Sequence, residues 1–209
     1  MRARRTPLTR LAIRMVAILW FASIVAGARI LLRYESAPGA PATAPQQWPL
    51  DAGLERNPGG PTLLVFAHPQ CPCTRATLGE LDRIAARARE RVHLVVVFLA
   101  VDEFAESWTK SAMWEQAIGI PGVAVVADHG SRIARRFGAK TSGQTLLYGT
   151  SGALLFAGGI TAARGHAGDN RGEDAVLELV LGRATQREST AVFGCPLHDP
   201  ATDGSPSPR

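Results

Sequence analysis

The segment from Thr62 to Leu81, TLLVFAHPQCPCTRATLGEL, constrains the fold of this chain more than any other. Its apolar run from Leu63 to Ala67 predicts a buried strand, and apolar side chains recur at helical spacing after the following turn. Cys71 and Cys73 therefore lie where a strand is followed by the start of a helix. Because the N-terminus of a helix has unpaired N–H groups and a partial positive charge, it favours a thiolate. The sequence predicts reactive thiols at this junction.

The spacing of the two cysteines limits how they pair. Residues i and i+2 of a helix point about 200° apart, so Cys71 and Cys73 cannot form a relaxed disulfide within a regular helix. Either their bond is strained and exchanges readily, or the two thiols pair with something else, including a soft metal ion. A third cysteine, Cys195, lies far along the chain in FGCPLHDP. Three cysteines leave one unpaired after any single disulfide, which favours exchange chemistry over a static cross-link.

Strands and helices alternate along the rest of the chain. Apolar runs predict strands at 92–100, 122–127, 145–148 and 153–157, and periodic patterns predict helices near 105–118, 131–137 and 173–183. The order β-α-β-α-β-α-β-β-α predicts an α/β domain with a mostly parallel sheet and an antiparallel edge. We assign this domain to residues 61–195.

The segments that flank the domain differ from it in composition. Residues 34–60 are rich in proline, alanine and glycine, which predicts a linker whose first half is semi-extended and in which Trp48-Pro49-Leu50 begins to pack on the domain. Residues 196–209 have the composition of a disordered tail.

The N-terminal segment 1–33 is predicted to be a signal-anchor. It contains seven arginines and no acidic residue, and residues 11–32 are long and apolar enough for a transmembrane helix. A cleaved signal peptide ending at Ala26-Gly27-Ala28 is the alternative. The clustered arginines predict a single span of the inner (cytoplasmic) membrane with the domain on the periplasmic, extracytoplasmic side. That compartment permits disulfides.

The net charge of +5 comes from the same N-terminal segment. Seven of the 23 basic residues lie in 1–33, which leaves 16 basic against 18 acidic residues in the remainder. The domain therefore has no basic surplus with which to bind a phosphate backbone, and we expect no nucleic-acid partner.

The element order, with thiols at the first strand-to-helix junction, resembles the thioredoxin-like superfamily. Over about residues 61–181 the chain is most similar to the membrane-anchored, TlpA/ResA-like extracytoplasmic branch. More narrowly, HPQCPCTRATL, the loop GGIT…RGHAGDN and the late FGC resemble bacterial RedB-type proteins. The resemblance implies a central mixed β-sheet flanked by helices. It also implies a thiol–disulfide oxidoreductase that acts on protein thiols and disulfides without a cofactor.

Aligned on the helix, Cys71 takes the place of the thioredoxin nucleophile and Thr74 that of its resolving cysteine. The resemblance thus implies Cys71 as the attacking thiolate, while Cys73 and Cys195 both stay candidates for its resolving partner. Gln70 replaces the usual aromatic residue before the nucleophile, and Gly143 replaces the usual cis-proline. The missing proline predicts open space beside the thiols.

Copper binding is the alternative function. Extracytoplasmic thioredoxin-like proteins that deliver copper use two closely spaced cysteines and a histidine, and thiolates select soft ions such as Cu(I). The ligands here would be Cys71 and Cys73 with His68, His166 or Cys195. As an alternative to ligation, His68 would tune the Cys71 thiolate as a cation or would simply end a strand.

The loop 158–172, which contains His166, is too long and polar to be only a connector, and we expect it near the thiols. Its other candidate residues are Arg164, Asp169 and Asn170, for which turn and helix-capping roles are the alternative. A peroxidase is not expected, because Leu64 and His68 stand where that site needs proline and threonine. An interaction module with structural cysteines remains as a non-catalytic alternative.

Overall fold

The computed structural model describes residues 7–88, 90–183 and 189–198. It divides into two compact units with the boundary between Ala37 and Pro38. In the first unit, helix α1 covers Pro7–Ser36, and an 18-residue window within Arg10–Ser36 has a mean hydropathy of 2.1. By length and composition this helix is long and apolar enough to cross a membrane, as predicted.

The second unit is an α/β domain. Its elements are β1 (Thr62–Ala67), α2 (Pro72–Ala88), β2 (His93–Ala100), α3 (Glu106–Thr109), α4 (Ala112–Ile118), β3 (Val123–His129), α5 (Arg132–Arg136), β4 (Gln144–Tyr148), β5 (Leu154–Gly159) and α6 (Arg171–Val180). The five strands form one sheet in the order β3-β2-β1-β4-β5. Strands β1, β2 and β3 are parallel, while β4 runs antiparallel to both β1 and β5. This mixed sheet flanked by helices is a thioredoxin-like fold, and the predicted fold class is confirmed.

Strand β1 lies at the centre of the sheet, and all six of its residues are buried. Leu63 and Val65 face a core cluster that includes apolar side chains of α2 and α6. Leu64 and Phe66 face a second cluster, which includes side chains of α5 and β4. Successive strand residues point to opposite faces, so a continuous apolar run is what a strand covered on both sides requires. The carboxyl end of β1 is thereby held in place, and the two cysteines follow directly after it.

The single helix predicted near 105–118 is two short helices, α3 and α4. Trp108 lies against His68 with ring centroids 5.4 Å apart, while Trp114 packs on Phe98 at 5.3 Å. Six residues on a regular helix turn through about 600°, so one straight helix would point these two indole rings in different directions. The break at Lys110 lets both rings contact the domain.

Most of the predicted linker belongs to the domain, whose compact unit begins at Pro38 and not at residue 61. The N–H of Thr43 donates to the carbonyl of Gly138 at 3.1 Å. The Trp48 ring packs edge-on against Phe137 at 5.0 Å and Tyr148 at 5.3 Å. The prediction that Trp48 packs on the domain therefore agrees with the structure, but the packing starts about ten residues earlier.

The first residues of the tail predicted from residue 196 pack on the domain. Pro196 forms a bridge with Thr141, and the N–H of Leu197 donates to the carbonyl of Lys140 at 2.9 Å. Leu197 is 3% exposed because it closes the second core cluster. Residues 199–209 of the predicted tail lie outside the described residues.

Trp48→Ala tests whether the segment before β1 is part of the folded domain. We expect it to lower the free energy of unfolding in urea by about 2–4 kcal/mol, because it removes an aromatic ring from the second core cluster. The matched control is Leu50→Ala in the same segment, where the side chain is fully exposed and the expected change is below about 0.5 kcal/mol. Equal, small effects of both substitutions would mean that the segment is a loose linker.

Candidate active site

The three cysteines come together at the carboxyl end of β1. Cys71 immediately precedes α2, Cys73 lies in the first turn of that helix, and Cys195 arrives from the C-terminal end of the described chain. The thiol of Cys71 is within hydrogen-bonding reach of the thiols of both Cys73 and Cys195. All three cysteines are free, and Cys71 is 0% exposed. The structure thus brings the three predicted site residues into one cluster.

The turn that carries Cys71 is fixed by its own backbone. The N–H of Cys71 donates to the carbonyl of His68 at 3.1 Å, and the N–H of Thr74 donates to the carbonyl of Cys71 at 2.9 Å. Pro72 suits the first helical position because it has no N–H to leave unpaired. The thiol of Cys71 therefore lies at the N-terminus of a 17-residue helix, where N–H groups point toward it.

The surroundings of the cysteines make their thiols unequal. Burial disfavours the thiolate of Cys71, but hydrogen bonds from the thiol and N–H of Cys195 and from the N–H groups of Cys73 and Thr74 outweigh it, so the pKa of Cys71 lies below its usual value. Burial, the hydrogen bond to Cys71 and the negative charge at Cys71 raise the pKa of Cys195 to about 12, against the lowering effect of Arg164. Of these two thiols, Cys71 is therefore the one that ionises first, and Cys195 is the hydrogen-bond donor.

Cys73 lies on the other side of the Cys71 thiol. Burial raises the pKa of Cys73, and the charge of Cys71 and the hydrogen bond to it raise it further. The N–H of Gly165 and the charge of Arg164 act in the opposite direction. Like Cys195, Cys73 is thus a protonated thiol beside the Cys71 thiolate.

Residues 189–198, here called the C-terminal strap, deliver Cys195 to the cluster. Hydrogen bonds to the main chain of the domain hold the strap along its length. The carbonyl of Cys195 accepts from the N–H of Ser142 at 2.8 Å, and the hydroxyl of Thr190 donates to the carbonyl of Gly159 at 2.7 Å. Arg164 adds a side-chain bond, from its Nη1 to the carbonyl of Gly194 at 2.9 Å.

Two glycines let the strap pass beside the thiols. A Cβ atom at Gly194 would overlap the carbonyl of Ser142. Gly143 has a φ of +89°, and a Cβ there would lie 3.1 Å from Oγ1 of Thr77 and 3.6 Å from the carbonyl oxygen of Phe193. The prediction of open space at Gly143 is therefore wrong, because the C-terminal strap of the same chain fills it.

Thr74, at the position of the usual resolving cysteine, has a structural role. Its hydroxyl donates to the carbonyl of His68 at 2.9 Å and is 2.9 Å from Oγ of Ser142, which in turn accepts from the N–H of His68 at 3.0 Å. This network ties the end of β1 to the segment that pairs with Cys195.

His68 does not act as the cation that one prediction assigned to it. Its Nδ1 accepts from the N–H of Gln70 at 3.1 Å, and its ring packs against Trp108. Burial lowers the pKa of His68, which a backbone hydrogen bond only partly offsets, so the neutral ring is favoured.

The loop between β5 and α6 reaches the thiols, as expected, but only its residues 164 and 165 act on them. Arg164 and Gly165 act on Cys73, whereas His166 is exposed and its N–H donates to the carbonyl of Ala163 at 3.3 Å. Asn170 caps α6 by accepting from the N–H of Glu173 at 2.9 Å.

A buried carboxylate that the sequence analysis did not single out holds this loop. Glu80, 0% exposed on α2, accepts from the N–H of Gly168 at 2.7 Å and pairs with Arg83. Arg83 also lies 3.9 Å from Asp169. Glu80 follows Cys73 by seven residues, so both lie on one face of the helix. That spacing is the signal by which it could have been found.

Of the predicted copper ligands, the structure brings Cys71, Cys73 and Cys195 together, whereas His166 is exposed. Within residues 7–88, 90–183 and 189–198, no group of three or more His, Cys, Asp or Glu side chains is arranged to hold a metal ion, and copper binding stays a prediction.

No protein-family model matches the chain, and no curated protein matches it. Among solved structures it is similar to an uncharacterized conserved protein from Geobacillus kaustophilus, with a TM-score of 0.55 and 17% identity over 78% of this chain and 93% of that one. A hypothetical protein from Sinorhizobium meliloti gives a TM-score of 0.51 and 19% identity over 77% and 93% of the two chains. The exposed lipoprotein thioredoxin Etrx1 from Streptococcus pneumoniae gives 0.44 and 18% over 59% and 85%. At these identities the likeness concerns the fold.

Gly194→Ala tests whether the strap covers Cys71. The added Cβ would overlap the Ser142 carbonyl, so the strap must move. We expect the limiting rate of Cys71 alkylation by iodoacetamide, measured by mass spectrometry across pH, to rise about tenfold or more, because opening of the strap exposes the thiol. The pH midpoint should also change, because opening removes both the burial that raises the pKa of Cys71 and the hydrogen bonds from Cys195 that lower it.

The control is Gly79→Ala on α2, where a Cβ meets no atom within 4 Å. It should leave both the rate and the midpoint as in the unmodified protein. A Gly194→Ala variant that behaves like this control would show that the strap does not limit access to Cys71.

Proposed function

We propose that this protein is a membrane-anchored extracytoplasmic thiol–disulfide oxidoreductase in which Cys71 attacks and Cys195 resolves. The observation that carries the proposal is the position of the Cys195 thiol within hydrogen-bonding reach of the Cys71 thiol at the N-terminus of α2. This contact favours the thiolate of Cys71, while burial and the same contact raise the pKa of Cys195. A thiolate with a second thiol donating to it is the arrangement that two-step disulfide exchange needs.

The reaction conserves electrons between the protein and its substrate. The Cys71 thiolate attacks one sulfur of a substrate disulfide, so a mixed disulfide forms and the other substrate sulfur leaves as a thiolate. Cys195, deprotonated, then attacks Sγ of Cys71, and the second substrate sulfur leaves. The substrate is reduced to a dithiol, the protein is oxidised to a Cys71–Cys195 disulfide, and the protons lost by the protein thiols balance those taken up by the substrate. A dithiol partner would run the same steps in reverse.

The position of Cys195 supports it over Cys73 as the resolving thiol. Cys73 is fixed in the first turn of α2, two residues from Cys71, where the side chains of a regular helix diverge. Cys195 lies on a segment held mainly by individual hydrogen bonds and has no helix to distort. A disulfide to Cys195 therefore needs less rearrangement of the backbone than one to Cys73.

Access to Cys71 makes movement of the strap part of the proposed cycle. Since Cys71 is 0% exposed, a substrate sulfur reaches it only after the strap is displaced. The strap has few buried apolar side chains, among them Val192 and Leu197. Segments with few buried apolar contacts open at a fraction of the free energy of global unfolding. The same movement would separate Cys195 from Cys71 while the mixed disulfide forms and return it afterwards.

The proposed location is the periplasmic face of the inner membrane. Helix α1 is long and apolar enough to act as the anchor, and the arginines near its N-terminus favour retention of that end in the cytoplasm. This orientation would place the three thiols in a compartment where disulfides form and exchange.

Single substitutions separate the roles of the three cysteines. With a small protein disulfide as substrate, we expect Cys71→Ser to abolish exchange, because it removes the attacking thiolate. Cys195→Ser should accumulate a mixed disulfide on Cys71, detectable by mass spectrometry without reductant, because nothing resolves it. Cys73→Ser should still complete both steps. Exchange by the Cys71→Ser variant would contradict the proposal, and so would reduced protein that performs no exchange and retains Cu(I) under anaerobic conditions.

A further inference from the structure

We infer that Arg164 is a positioning residue for the second step of this exchange: it holds the Cys195 segment and supplies the positive charge beside Cys195 when that thiol attacks. The inference rests on the proposed function and assigns a residue to its resolving step.

The contact between Arg164 and the strap is direct. Its Nη1 donates to the carbonyl of Gly194, the residue before Cys195, at 2.9 Å. The guanidinium has fixed, planar donor geometry and stays charged at all physiological pH values. It therefore constrains the strap at the residue next to the reacting sulfur and carries a permanent charge to it.

Arg164 is itself held in place from α2. The loop that carries it is closed by the bridge between Ala163 and His166 and is anchored by the Gly168 N–H on the buried carboxylate of Glu80 at 2.7 Å. Asn170 adds a bond to the carbonyl of Ile160 at 2.9 Å. Because the loop is anchored beyond Arg164, the guanidinium has a defined position next to the thiols.

The charges around Cys195 change during the reaction. In the reduced protein, negative charge at Cys71 opposes ionisation of Cys195, and the charge of Arg164 favours it. Once Cys71 is part of a mixed disulfide, its sulfur carries no charge and no longer disfavours the ionisation of Cys195. The charge of Arg164 remains, so Cys195 ionises more readily at the stage when it must attack.

The step that Arg164 assists is balanced. Cys195 loses its proton to water, and its thiolate electron pair forms the bond to Sγ of Cys71. The bond between Cys71 and the substrate sulfur breaks, and its electron pair leaves with that sulfur as a thiolate, which then takes up a proton. The positive guanidinium stabilises the Cys195 thiolate before the attack.

The test isolates resolution from the first attack. In a Cys73→Ser background, the full chain in detergent micelles is treated with Ellman's reagent at mildly acidic pH, where Cys71, whose pKa is lowered, attacks in preference to Cys195, whose raised pKa keeps it protonated. This forms a mixed disulfide between Cys71 and thionitrobenzoate. The pH is then raised, and release of thionitrobenzoate reports the attack by Cys195 as a function of pH.

Three variants distinguish charge from tethering and from general effects. Arg164→Gln removes the charge, and we expect resolution at neutral pH to slow about tenfold or more, with the pH midpoint moved up, because each pKa unit changes the thiolate fraction about tenfold. Arg164→Lys keeps the charge and should recover most of the rate and the midpoint. Arg75→Gln, an exposed arginine on α2, should change neither.

The outcomes separate the inference from the proposed function. Formation of the mixed disulfide in each variant shows that the β1–α2 junction is folded. The inference is overturned if the mixed disulfide of Arg164→Gln resolves at the rate and the pH midpoint of the parent. It is also overturned if Arg164→Lys is as slow as Arg164→Gln and neither variant shifts the midpoint. In both cases resolution by Cys195 stands. If thionitrobenzoate release continues in Cys195→Ser, the proposed function itself fails.

Discussion

The arrangement of the three thiols depends on the close approach of two segments of the main chain, at Ser142 and at Gly194. The carbonyl of Ser142 lies against the Cα of Gly194, and the N–H of the same serine donates to the carbonyl of Cys195 at 2.8 Å. Because no side chain fits between these segments, Cys195 is brought to the Cys71 thiol without a covalent link. The site therefore combines residues 124 positions apart in sequence.

This arrangement makes chemically identical side chains unequal. Cys71 lies at a helix N-terminus and receives hydrogen bonds, while Cys73 and Cys195 donate to it and stay protonated. The three cysteines therefore differ in pKa because of their positions in the fold. The same contacts bury Cys71 completely, so the strap that activates the nucleophile also excludes solvent and partners from it. Reactivity and access are thus linked through one short segment of chain.

The sequence predicts those parts of the structure that depend on local pattern. The apolar run of β1 and the cysteines after it place the nucleophile correctly, since a buried strand and a helix start each have a local signature. The alternation of strands and helices predicts a mostly parallel sheet with antiparallel pairing at one edge, but it does not predict the order of the strands. The proline, alanine and glycine of residues 34–60 predict a linker, although main-chain contacts such as that of Thr43 with Gly138 hold most of this segment on the domain. Composition does not report main-chain hydrogen bonds.

The candidate site was predictable only in part, for a related reason. Cys195 was a candidate, but its path beside Gly143 depends on contacts between distant segments, and the loss of a proline there suggested a vacancy. The role of Glu80 has no local sequence signature, because its partner, the N–H of Gly168, is 88 residues away. His166 was a plausible ligand by residue type, yet it is exposed because the loop turns at Ala163.

Disulfide mapping by mass spectrometry of the full chain, equilibrated over a series of redox potentials, tests the central claim most directly. The account predicts one reversible disulfide, between Cys71 and Cys195, with Cys73 free at every potential at which this bond forms. A reversible bond between Cys71 and Cys73, with Cys195 free, would contradict it.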